Sequence, residues 1–361
     1  LKGLEFTGVC EDRIPSVDEM DRRLQAVGWG AVCVRGFIPP LVFLDFQSRK
    51  ILPIAVDMRQ ASHIAYTPAP DIVHEAAGHS PIIADNLYSK YLSNYGAAAS
   101  KAIYSKFDHQ VYKSIRELSD IKENPNSKSK EISEAEDNLK SLTKNTTSIS
   151  EAAYLARLNW WTVEYGLVGE LDNPKIFGAG LLSSVGESYN AIYGDVEKIP
   201  FSIECINYSY DITEQQPQLF VAKNFIHLDE VLQELTAGMA YKIGGISSMQ
   251  KAIDSESVCT FEFENGLQVS GIPTSVIGEQ KEEFYRFSGP VQICYNGKEI
   301  SGHGGEYHKE GFSSPIVDDL VVNSIINASE NDYIEISFKS GIKLSGTLFR
   351  KFYSNKKLLL A

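Results

Sequence analysis

A chain of 361 residues has room for two domains, and 43% hydrophobic with 22% charged residues gives enough apolar surface for a packed core, which excludes a disordered chain. The net charge of −13 repels phosphate and anionic headgroups, so neither nucleic acid nor a membrane surface is an expected partner. No apolar run nears the roughly 18–20 residues of a membrane span, and five scattered cysteines without C-x-x-C fit reduced thiols in a cytoplasmic protein. The opening LKGLEFTGVCED has no signal-peptide pattern. It starts on Leu1 rather than Met, as it would if a segment upstream were missing.

Residues 1–70 alternate short apolar runs with turn signals. The stretch WGAVCVRGFIPPLVFLDFQ is broken at Pro39–Pro40 and predicts short strands or irregular structure, not a long helix. From about 71 the period turns helical through Ile72, Val73, Ala76 and Ala77, with Asp71 after Pro70 as a start signal. YSKYLSNYGAAASKAIYSKF continues as a second helix towards 122. Residues 123–150 lack aromatics and read as an exposed insertion, in which Ile132, Ala135, Leu139 and Leu142 predict a weakly amphipathic surface helix.

Residues 151–170 predict a strongly apolar helix with one acid, Glu164, in its interior, and 225–240 an amphipathic one. KIGGISS then marks a hinge. Beyond about 250 the period becomes two, and three segments fit x-G-x-x-[V/I/L]-S-G, marked by Gly266/Gly271, Gly297/Gly302 and Gly341/Gly346. Their spacing is irregular, so they predict three similar hairpins in a small antiparallel module, not a solenoid. The expected class is α+β: a mainly α-helical domain over 1–245, then a small antiparallel all-β domain over 246–361.

DIVHEAAGHSP, residues 71–81, carries the chemistry. On an α-helix residues four apart differ by about 40° and residues five apart by about 140°. His74 and His79 therefore reach one ion only if the helix distorts or ends near His79. Gly78 supplies a permissive backbone and Pro81 a helix stop. Glu164, set among Trp160, Trp161, Val163 and Tyr165, is the best third ligand, because a carboxylate there is costly unless paired or coordinated. Two His and one carboxylate with open positions suit a mononuclear non-haem Fe(II) enzyme. Spacing alone leaves two other readings open: ordinary polar residues at a helix end, and a zinc hydrolase with Glu75 as general base.

YTPAPDIVHEAAGHSPIIAD at 66–85 resembles the metal-binding segment of the pterin-dependent aromatic amino acid hydroxylases. NWWTVEYGL at 159–167 resembles the family stretch with the carboxylate ligand, and FGAGLLSSVGE at 177–187 its substrate loop. The blocks occur in family order and cover roughly residues 1–240. The resemblance implies a hydroxylase-like catalytic domain in which His74, His79 and Glu164 bind Fe(II). It also implies a tetrahydrobiopterin or related tetrahydropterin that supplies two electrons while O₂ is split. Glu75 matches a residue near the pterin, and within GFIPPLVF Phe43 matches the aromatic that stacks on it and Ile38 an apolar contact. Arg59 matches the arginine that grips the amino-acid carboxylate, which a guanidinium can do bidentately. Thr67 and Pro68 lie in the substrate segment, Trp160 flanks the aromatic side chain, and Ser183, Ser184 and Glu187 surround the substrate. In that family a Trp at the position of Trp160 goes with a phenylalanine or tyrosine substrate and leans against tryptophan; the resemblance implies L-phenylalanine, converted to L-tyrosine, with the same chemistry on tyrosine or tryptophan as the alternatives.

Some positions depart from the family pattern. Asn159 stands where Tyr is usual, Pro53 replaces a His found near the pterin in many members, and the insertion at 123–150 is longer than the usual connection. The β module lies outside the resemblance, in place of a short oligomerisation tail, and is a candidate for homo-oligomer assembly. GAGLLS at 178–183 lacks the third glycine of a dinucleotide loop. HGGEYH, with His303 and His308, reads as a loop without a third metal ligand.

Overall fold

The computed structural model describes all residues except 1, 11, 36–37, 66–69, 125, 145–148, 211, 213–214, 280–281, 316–318, 339–340 and 355. The chain forms two compact units, Leu1–Met239 and Ala240–Ala361.

The first unit is mainly helical. It opens with α1 (Lys2–Thr7), α2 (Val17–Leu24), β1 (Gly30–Val34), α3 (Pro40–Ser48) and β2 (Ile51–Ala55), with β1 and β2 pairing in parallel. A π turn, His74–His79, runs into α4 (Ser80–Ile83), followed by α5 (Asn86–Ala99), α6 (Lys106–Glu123) and α7 (Ser129–Lys144). Helix α8 (Glu151–Asn159) runs into a second π turn, Trp160–Glu164. Then come β3 (Leu167–Glu170), β4 (Asn173–Ile176), α9 (Ala179–Leu182), α10 (Val185–Tyr193), β5 (Glu197–Pro200), β6 (Gln218–Ala222) and α11 (Phe225–Ala237). The four strands order as β4-β3-β6-β5, antiparallel between β3 and β4 and parallel elsewhere.

Helix α5 is the spine of this unit. Tyr88, Tyr91, Leu92, Tyr95, Ala98 and Ala99 recur at helical spacing and all are buried. Asp85 caps its start by accepting from the Leu87 and Tyr88 N–H groups. Buried aromatics need partners for their polar ends, and the Tyr95 hydroxyl finds the Leu155 carbonyl at 2.7 Å while the Trp29 indole donates to Ser89 Oγ at 2.6 Å. Through Tyr95, α5 is tied to α8, the helix that leads to Glu164.

Three segments differ from the sequence expectation. LVFLDFQ forms α3 rather than strand or irregular chain, because Pro40 occupies the first helical turn, where its fixed φ and missing N–H cost nothing. The helix expected to run on from Tyr88 is two: α5 ends at Ala99, and Ser105 with Asp108 forms a capping box that starts α6. The apolar helix from 151 stops at Glu164, and LVGE becomes β3 beside β4 and β6. In the insertion the expected helix is present as α7; Ala135 is buried, Ile132, Leu139 and Leu142 are half-buried, and Lys122 pairs with Glu136 at 2.8 Å, joining α7 to α6.

In the second unit Leu267–Glu279 and Glu282–Tyr295 form a long antiparallel pair with two register shifts. Cys259–Glu262, Lys298–Glu299 and Gly311–Pro315 extend it to five strands. All three glycine motifs lie in hairpins, the third (Tyr333–Ser337 with Lys343–Thr347) in a separate two-stranded sheet. Asn296 and Gly297 both have positive φ, which a two-residue hairpin loop with the right twist requires. Helices accompany these strands, at Ala240–Ile243, Gly245–Asp254 and Asp319–Asn327, the first two occupying the expected hinge.

Candidate metal centre

The five-residue spacing of the histidines is met by the backbone itself. The Ser80 N–H bonds to the Glu75 carbonyl, five residues back, so one turn holds an extra residue and positions five apart come into line. His74 Nε2 lies 3.0 Å from His79 Nε2. The expected helix stop at Pro81 is absent: Pro81 sits in the first turn of α4, and the helix continues to Ile83. Proline donates no backbone bond, and the widened turn before it takes up that loss.

Glu164 arrives on a second π turn, where the Tyr165 N–H bonds to the Trp160 carbonyl at 2.9 Å. Its Oε2 lies 3.3 Å from His74 Nε2 and its Oε1 3.4 Å from His79 Nε2. Among the described residues this is the one group of three or more His, Cys, Asp or Glu side chains placed to hold a metal. A face with these edges fits a cation about 2.0–2.2 Å from each atom, ordinary His and carboxylate bond lengths for a divalent metal. The two π turns are fixed to each other through α9. A Cβ on Gly78 would stand 2.7 Å from the Ala179 oxygen, and one on Gly178 2.5 Å from the Glu164 oxygen. Both positions need glycine for close approach, which is what the glycines of GAGLLS do.

Neighbouring groups set tautomers and charges. Ser183 Oγ donates its one proton to the Ala179 carbonyl at 2.8 Å, so at 2.9 Å it accepts from His74 Nδ1–H. With the ring neutral, that leaves the lone pair of His74 on Nε2, the atom that would bind a metal. Burial by itself would raise the Glu164 pKa, but His79 and His74 more than offset it and hold the carboxyl far below its usual range. For Glu75 burial wins and pushes the carboxyl up to about 8 despite His79. Two carboxyls beside one imidazole are thus held in opposite protonation states at neutral pH.

Arg59 sits beside this centre. Its Nε and one Nη donate to the two oxygens of Asp71 at 2.8 and 2.7 Å, and the other Nη donates to the Ser183 carbonyl at 2.6 Å. Three of its five donors are used by these bonds. Asp71 also accepts from the His74 N–H at 2.9 Å. Burial would raise its pKa, but the bonds from Arg59 and His74 hold the carboxyl below its ordinary value. Asp71 is more than the helix start signal it resembles in sequence: one carboxylate organises both Arg59 and the backbone of His74.

Trp160 lies between Tyr210, stacked at 4.3 Å, and Tyr165 at 4.6 Å, and its indole donates to Gln216 Oε1 at 3.1 Å. The Gln216 N–H donates in turn to Glu187, a buried carboxyl that burial pushes up to about 7. Gln216 and Tyr210 lie in YDITEQQPQLFVAKNF, a stretch of weaker resemblance to the family in which neither residue stands out. The Ser184 hydroxyl donates to the Ala65 carbonyl. Phe43, on α3, faces the imidazole of His79 with ring centroids 6.1 Å apart, and Ile38 lies half-buried just before that helix. Thr67 and Pro68 fall outside the described residues. Asn159 Oδ1 is buried without a hydrogen-bond partner among the described residues, and Pro53 lies buried in β2. In the second unit His303 Nδ1 lies 3.0 Å from His308 Nε2, and no third donor joins them among the described residues.

A helical domain that converges two imidazoles and a carboxylate on one buried point has the donor set of a mononuclear metal site. The profile of the biopterin-dependent aromatic amino acid hydroxylases matches residues 3–110 and 126–244, and the chain belongs to that family. It is therefore a pterin-dependent monooxygenase. The chain is 28% identical over 236 residues to the phenylalanine-4-hydroxylase of Pseudomonas aeruginosa, covering 65% of this chain and 73% of that one. It is 27% identical over 235 residues to the phenylalanine-4-hydroxylase of Bos taurus, covering 64% of this chain and 42% of that one. A solved structure of Chromobacterium violaceum phenylalanine hydroxylase, with bound iron(III) and 7,8-dihydrobiopterin, aligns with a TM-score of 0.48 at 24% identity, covering 67% of this chain and 73% of that one.

Proposed function

We propose that the enzyme hydroxylates L-phenylalanine to L-tyrosine with O₂, Fe(II) and a tetrahydropterin. The convergence of His74, His79 and Glu164 carries the reading, and the similarity to phenylalanine-4-hydroxylases supports the substrate. Family membership removes the zinc-hydrolase reading, and the intact triad counts against a non-catalytic homologue.

When bound, iron and pterin together reduce O₂ and deliver one oxygen atom to the ring, the pterin supplying two electrons. The residues of the chain bind and orient. His74, His79 and Glu164 hold the metal; one anionic and two neutral donors leave positions open for reactants. Phe43, Ile38 and Glu75 line the pterin side. Glu75 Oε2 is buried with no hydrogen-bond partner among the described residues and lies 3.9 Å from His79 Nε2, leaving a carboxyl that can donate to or accept from a pterin. Arg59 turns its remaining hydrogens, one on each terminal nitrogen, to the substrate carboxylate while Asp71 fixes the guanidinium. Trp160 flanks the substrate ring, and Ser183, Ser184 and Glu187 complete that side.

The test is aerobic turnover of L-Phe, L-Tyr and L-Trp by iron-loaded enzyme with tetrahydropterin. Tyrosine from L-Phe, formed one-to-one with pterin oxidised, is expected. Folded, iron-loaded enzyme that hydroxylates none of the three overturns the reading.

We assign the hydroxylase domain to 1–245, with 123–150 as its insertion, and a second domain to 246–361. No described helix is long and apolar enough to cross a membrane, and five unbridged cysteines fit the cytoplasm. Homo-oligomer assembly through the second domain is part of the same proposal, and sedimentation is expected to give a mass above that of one chain.

A further inference from the structure

The turn that carries Glu164 depends on a hydroxyl pair outside the ligand set. Thr162, two residues before Glu164, donates from Oγ1 to the Leu158 carbonyl at 2.6 Å. A threonine bonded to the carbonyl four residues back enters the helical ladder and loosens it. Here that bond spans the junction where α8 widens into the π turn. The Thr162 hydroxyl has one proton, and the Leu158 carbonyl takes it. Tyr91 Oη, 2.9 Å away on α5, is therefore the donor to Thr162 Oγ1. Both side chains are buried, Tyr91 completely. The resulting chain, Tyr91 to Thr162 to the Leu158 carbonyl, ties the widened turn to the spine of the domain.

The consequence for Glu164 is rotational. An extra residue in one turn rotates all that follows by about 100° relative to an unbroken α-helix. In the unbroken helix Glu164 would point away from His74 and His79. We infer that Tyr91 and Thr162 are positioning residues that hold the Trp160–Glu164 turn in its π form, and so set how well Glu164 meets a metal. The inference rests on the proposal that Glu164 is a ligand.

The test uses the full chain, stripped of metal and titrated with Co(II) against a competing chelator, followed by visible absorption. Thr162→Val keeps the shape and removes the hydroxyl. It is expected to weaken Co(II) binding about 10–100-fold, the range for groups that orient metal ligands, and to alter the Co(II) spectrum. Thr162→Ser restores both. Tyr91→Phe changes the spectrum in the same direction with a smaller loss of affinity, and keeps the inference testable where Thr162→Val fails to fold. If Thr162→Val and Tyr91→Phe bind Co(II) with wild-type affinity and spectrum, the pair is packing alone and the inference is wrong. A Glu164→Ala variant that binds Co(II) like wild type instead removes Glu164 from the ligand set, and the proposed metal site fails first.

Discussion

Glu164→Gln is expected to abolish hydroxylation while the chain stays folded. The amide keeps the volume of the side chain but removes the one negative charge of the ligand set, which both imidazoles face at 3.3 and 3.4 Å. Loss of several kcal/mol of metal stabilisation corresponds to roughly a 10³-fold or greater fall in rate. Iron content after gel filtration, circular dichroism and single-turnover assay separate loss of metal from loss of fold. A variant that keeps its iron and a tenth or more of the wild-type rate would show that two histidines suffice. Folding is expected to survive because Glu164 is held by the histidines, not by the core: its side chain is 16% exposed, whereas Trp161 and Val163 beside it are fully buried.

Asp71→Ala should be the most destabilising single change near the site. Arg59 and Asp71 are 5% and 3% exposed, and removing one partner of a buried, hydrogen-bonded ion pair costs about 3–5 kcal/mol because the other charge is left without compensation. The same change frees the His74 N–H at the entrance to the first π turn. Thermal unfolding of the metal-free protein measures the first effect and Fe(II) affinity the second. Arg59→Lys keeps a cation but loses the fork, so KM for the amino acid is expected to rise more than kcat falls. If Asp71→Ala unfolds within about 1 kcal/mol of wild type, the pair is not the anchor described here.

What could be read from the sequence follows from how local each signal is. His74 and His79 were legible because a five-residue spacing conflicts with an α-helix, and the conflict names its remedy. Glu164 was legible as an isolated acid in an apolar run. Asp71 was not, because a polar residue after proline looks the same whether it caps a helix or holds an arginine. Thr162 and Tyr91 were hidden for a related reason: a hydroxyl in an apolar helix shows its use only when its partner, 71 residues away in sequence, comes into view. Helix α3 was missed because Pro39–Pro40 is written the same way whether a helix is broken or begun. The hairpins of the second unit were plain from Asn-Gly and alternation, but how their strands join into sheets is a non-local matter and left no mark.

Each π turn sits where one element gives way to the next: the first runs into α4, and the second ends α8 ahead of β3. Ahead of the turns stand Asp71, bonded to Arg59 and to the His74 N–H, and α8, bonded to Tyr95; after them come α4 and β3. Each ligand-bearing segment therefore works as a coupling between two shafts set at an angle, and the metal ligands sit at the joints.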